Sequence, residues 1–152
     1  MMKFWENNKL SIVISSLFII SASVFFCLNN PNFVSQKNEI DKELLYNLLT
    51  VNTIFAGFTY NMLGNMVEFS SREDIQELDL AGYVDDYFSP MYFSLFYFIF
   101  SIFIELILIF FGIKWQLNLL VYIQQVGTAL GLTFFVVSTL KMKRMINKVR
   151  KK

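Results

Sequence analysis

The chain has 152 residues, 55% of them hydrophobic and 16% charged, with a formal net charge of +1 and a mean hydropathy of +0.49. That balance is too apolar for an ordinary soluble domain and describes one membrane domain. A single cysteine, Cys27, and the lack of any histidine exclude an internal disulfide, imidazole-bound zinc and Ser-His or Cys-His nucleophile pairs.

The first apolar run covers residues 10–28 and follows a short Lys-bearing start. No A-x-A-like cleavage site follows before Asn29, so the run reads as a retained span and not as a signal peptide. Ser11, Ser15, Ser16 and Ser23 recur in it at helical spacing, which favours close helix packing. A polar connection with a turn signal at Asn30-Pro31 leads to the second span, residues 44–67, the least hydrophobic of the set. On a helix, its Asn47, Thr50, Gly57, Asn61 and Gly64 fall near one face, which should meet protein or water and not lipid.

Residues 68–90 carry seven acids against Arg72 and form the acidic pole of the chain. Ser70 with Glu73, or Ser71 with Asp74, gives an N-cap signal for a short helix along Ile75, Leu78 and Leu80, with Gly82 as its end. The adjacent Asp85 and Asp86 lack further spaced ligands and read as a solvated turn, so no metal and no other cofactor is expected. Pro90 stands where the third span should begin.

That third span, residues 91–113, is MYFSLFYFIFSIFIELILIFFGI, about 35 Å long as a helix, which is enough to cross a bilayer. Lys114-Trp115 is an interfacial pair, and the fourth span follows at residues 117–140 as the second arm of a tight hairpin. Gly127 and Gly131 form a GxxxG, a signal for close helix contact, and Gly57 and Gly64 offer similar small sites in the second span. The tail carries Lys141, Lys143, Arg144, Lys148, Arg150, Lys151 and Lys152, while Met142, Met145 and Val149 keep an apolar stripe. It reads as a basic helical extension drawn to anionic lipid, or to a soluble partner. The expected fold is all-α: a polytopic membrane protein with four transmembrane helices in an up-and-down bundle.

Ten of the 13 Lys and Arg residues lie on the termini and the middle connection of such a bundle, which places both termini in the cytoplasm. Depth then gathers a polar layer. Glu105 lies inside the third span, Gln124 and Gln125 in the fourth, Asn52 and Thr53 in the second and Ser21 in the first, all roughly 12 Å below the outer face at about 1.5 Å per residue. A carboxyl there favours its neutral form and should donate a hydrogen bond. The favoured reading is interhelical glue, and the alternative is a proton or ion site or a ring around a pore.

No GxSxG, phosphate-cradling Gly-rich loop, HExxH or CxxC occurs, so an enzyme is not expected, and nothing points to nucleic acid. The stretch Ser71 to Ser94, SREDIQELDLAGYVDDYFSPMYFS, set between two spans, resembles a pattern in small four-span bacterial membrane proteins. Some proteins of that build are membrane components of anti-phage defence systems. The resemblance implies a homo-oligomeric sensor or membrane-perturbing effector in the bacterial inner membrane. The competing expectations are an immunity or anchoring subunit that recruits a cytoplasmic protein through residues 68–90 or the tail, and a small transporter using Glu105.

Overall fold

A computed structural model of the chain describes residues 8–29, 42–70, 85–111 and 117–149. These residues form four α-helices and no strand: α1 Lys9–Asn29, α2 Lys42–Ser70, α3 Asp85–Phe111 and α4 Leu117–Val149. Two of them contain stretches long and apolar enough to cross a membrane, Tyr87–Phe110 in α3 and Leu119–Asn147 in α4. A shorter apolar stretch, Lys9–Val24, lies in α1. In α2 the Asn and Thr residues dilute the apolar character of an otherwise long helix.

The helices follow the apolar runs closely, with two corrections at the start of α3: Asp85 and Asp86, expected in a turn, are its first helical residues, and Pro90 is displaced from its expected place. Pro90 does not open that helix but sits inside it, five residues after Asp85. Its missing N–H removes a single i→i−4 bond, the one to the Asp86 carbonyl, just beyond the first turn. Pro90 is also fully buried, so its ring adds to the packing. At the other end α4 runs on to Val149, nine residues past the expected edge of the span.

α3 is the central helix and packs mainly on α4 and α2, while α1 touches the bundle more sparsely. Pairing of Asn52 with Glu105 and of Thr59 with Ser94 runs α2 antiparallel to α3. Contacts of Ser94 with Gly131 and of Ser101 with Gln124 do the same for α3 and α4. α1 lies alongside α3 in the same direction, with Ser11 and Ser89 sharing a 3.1 Å hydrogen bond near both N-termini. Further along, the Tyr122 hydroxyl of α4 donates to the carbonyl of Ala22. The result is an up-and-down order.

Two apolar clusters close the ends of the bundle. Leu45, Ile104 and Leu108 pack with Leu120, Val121 and Ile123 at one end. Leu63, Met66, Met91 and Met145 pack with Met142, Tyr87 and Phe88 at the other. Met142 and Met145 of the C-terminal extension are therefore seated on α2 and α3, while Lys143 and Arg144 are exposed. Lys141 is half-buried, the side chain of Lys148 is not among the described ones, and Arg150, Lys151 and Lys152 lie outside the described residues. Ser70, expected as an N-cap, is instead the last residue of α2, its hydroxyl donating to the Val67 carbonyl at 2.9 Å, while the Ser71 signal, the short helix of the acidic connection and Lys114-Trp115 also lie outside the described residues.

Candidate functional site

Along α3, Ser94, Phe98, Ser101 and Glu105 are spaced by three or four residues and so line one face, which is turned to α4 and fully buried. The facing surface of α4 is smooth there because of its glycines. A Cβ on Gly127 would collide with Ser101 Oγ, and one on Gly131 would stand 2.8 Å from the Phe98 ring. The serines use the close approach to reach α4 backbone: Ser94 donates to the Gly131 carbonyl at 2.9 Å and Ser101 to the Gln124 carbonyl at 3.2 Å. The GxxxG thus serves packing within one chain.

At the far end of this face lies the polar cluster. Glu105, Asn52 and Gln124 are each at 0% exposure, and Thr128, one helical turn beyond Gln124, is buried beside them. Asn52 Nδ2 donates to Glu105 Oε1 at 2.8 Å and to Thr128 Oγ1 at 3.0 Å. Gln124 Nε2 donates to the same Glu105 oxygen at 2.5 Å and to Thr128 Oγ1 at 3.4 Å. The Thr128 hydroxyl in turn donates to the Gln124 carbonyl at 3.1 Å. Three helices are joined at a single carboxyl oxygen.

Both carboxamides meet the Glu105 carboxyl at one oxygen, Oε1. Its second oxygen, Oε2, has no hydrogen-bond partner, nor do Asn52 Oδ1 and Gln124 Oε1. Each bare buried oxygen costs about 1–3 kcal/mol in lost solvation.

The remaining residues of the anticipated polar layer are elsewhere. Thr53 is exposed and its hydroxyl donates to the Leu49 carbonyl, and Ser21 is exposed and donates to that of Phe18. Gln125 is exposed on the outer side of α4. Each is one helical step of about 100° or more from the buried face, which depth alone does not register. Thr128 is the member that sequence reasoning does not single out. Its place one turn after Gln124 is the available signal, hidden inside the GTALG motif.

On α2 the small and polar face is open. Asn47, Thr50, Asn61 and Asn65 are exposed, and a Cβ on Gly57 or Gly64 would meet nothing within 4 Å. At about 100° per residue this face lies roughly opposite the edge formed by Asn52, Thr59, Leu63 and Met66 that packs into the bundle. Among the described residues, no three His, Cys, Asp or Glu side chains come together in a way that could hold a metal ion.

Fold and cluster together define a small helical bundle with membrane-length helices and a buried polar centre. No protein-family model, curated protein or solved structure matches the chain.

Proposed function

We propose that the chain is an integral membrane protein with four spans and cytoplasmic termini, whose copies assemble through α2 into a homo-oligomer that senses or perturbs the bilayer, in the manner of a bacterial defence component. The observation that carries this reading is the open face of α2. Asn61 lies about 7 Å from the middle of that helix, at 1.5 Å per residue, with Gly57 at the middle and Gly64 beyond. Amides exposed to hydrocarbon need partners, and small residues let a second backbone approach them. The same face on another copy supplies both. Large apolar side chains elsewhere on the outer surface, Phe96, Phe103, Phe110, Leu17 and Ile20, are all exposed, as on a lipid-facing surface. The basic C-terminal turns of α4 beside the bundle's end support a cytoplasmic C-terminus at an anionic leaflet.

The test uses Gly57→Leu with Gly64→Leu, two positions where an added Cβ meets nothing within 4 Å in its own chain. The purified wild-type protein should give an oligomeric mass in mild detergent and should release dye from anionic liposomes. The double variant should keep its helix content, fall to monomer mass and lose the release. An unchanged oligomer in the double variant rules out α2 as the contact, and a monomeric wild type rules out the assembly.

A further inference from the structure

The chain has seven methionines, and the five beyond Met1 and Met2 all belong to one cluster. Met62 and Met66 of α2, Met91 of α3 and Met142 and Met145 of α4 pack together at the end of the bundle where α4 runs on past its apolar span. Burial divides them. Met66, Met91 and Met145 are buried, whereas Met62 and Met142 are half-buried at the edge. Met142 also follows Lys141 and precedes Lys143 and Arg144, so it stands where the apolar helix gives way to its charged end. Among the described side chains of the cluster, only Tyr87 carries an N–H or O–H group.

We propose that Met142, together with Met62, is a site of oxidative modification by peroxides, and that conversion to the sulfoxide releases the C-terminal turns of α4 from α2 and α3. In the reaction with hydrogen peroxide, the thioether sulfur attacks one peroxide oxygen: an S–O bond forms as the O–O bond breaks. The sulfur loses two electrons, and the leaving hydroxide takes the proton of the transferred oxygen and departs as water. A thioether suits this packing because it is flexible, polarisable and apolar. A sulfoxide does not, since its oxygen is a strong acceptor and the cluster offers it a single hydroxyl. The oxygen gains its missing donors by turning out to water. Met142 and Met145 are one turn apart and seat the same stretch of α4, so its release carries the exposed Lys143 and Arg144 with it. Reduction of the sulfoxide by a reductase restores the thioether and resets the contact. The site is built within one chain and stands whether or not copies assemble.

The experiment treats the purified full-length protein in detergent with hydrogen peroxide, maps sulfoxide by peptide mass spectrometry and follows tryptic cleavage after Lys143 and Arg144. Cleavage within a helix requires local opening, so its rate follows the open population. Sulfoxide should form at Met142 and Met62 before Met66, Met91 and Met145. The oxidised protein should then be cut after Lys143 and Arg144 roughly tenfold faster or more, the effect of one buried acceptor left without a donor. Met62→Leu with Met142→Leu is close in volume and inert to peroxide, and it retains Met1 and Met2 as controls. It should keep the slow rate after the same treatment. Should that double variant fail to fold, return of the oxidised wild type to the slow rate with methionine sulfoxide reductase and a dithiol tests the same contact. Sulfoxide formed evenly over the five methionines, or an oxidised wild type cut no faster than before, would overturn the proposal. Equal acceleration in the double variant would overturn it too, tracing the opening to another residue.

Discussion

The ring of Phe98 fills the space that a side chain at position 131 would need, its Cδ1 and Cε1 atoms standing 2.8 Å from where the Cβ of any residue but glycine would be. The ring cannot easily move. It is fully buried and stacked on Phe55 of α2 with centroids 5.8 Å apart. Gly131 therefore sets the separation of α3 and α4 and, through Phe98, the seat of α2.

Gly131→Ala should accordingly destabilise the chain by about 1–3 kcal/mol, the usual cost of overpacking. Gly57→Ala, on the open face of α2, should instead stabilise it by about 0.5–1 kcal/mol, since alanine is the better helix former and no atom opposes it. Reversible unfolding in mixed detergent measures both. Equal effects at the two glycines would contradict the packing described for α3 and α4.

Glu105→Leu removes the acceptor shared by Asn52 and Gln124 and leaves buried N–H groups unmade, at about 1–3 kcal/mol. Glu105→Gln retains an oxygen in the Oε1 position and should lose much less. Unfolding in mixed detergent should rank wild type and Gln together above Leu. A Leu variant as stable as the wild type would show that the bonds to Oε1 contribute little.

Under the four-span proposal, Lys37 and Gln76 lie on opposite sides of the membrane. Single cysteines placed at these positions in a Cys27-free background should react differently with an impermeant thiol reagent on whole cells, Lys37→Cys labelled and Gln76→Cys protected. Labelling of both from outside would refute the topology.

Much of this architecture is legible in the sequence because apolar runs and helix length are set by the same solvent. α1, α2 and α4 begin within two residues of the expected positions. The start of α3 is not legible in this way, since a proline signals a first helical position, whereas here the helix begins five residues earlier and gives up one backbone bond at Pro90. Depth correctly draws Asn52, Glu105 and Gln124 to one level. It cannot separate Gln124 from Gln125, whose directions differ by about 100° and whose environments differ completely. The GxxxG is legible as close contact, but its partner, α3 in the same chain, is not, because small residues look alike whichever backbone they admit.

The hydroxyls of α1 bear on the order of synthesis. Its long-range partners, Ser89 and Tyr122, are made only after most of the chain has emerged. Meanwhile Ser15, Ser16, Ser21 and Ser23 each donate to a carbonyl one turn back in the same helix, those of Ser11, Val13, Phe18 and Ile19. Under the four-span proposal, a first helix that satisfies most of its own hydroxyls can wait in lipid without a companion. It can then be recruited late, by little more than Ser11 and the carbonyl of Ala22, once the hairpin of α3 and α4 has closed.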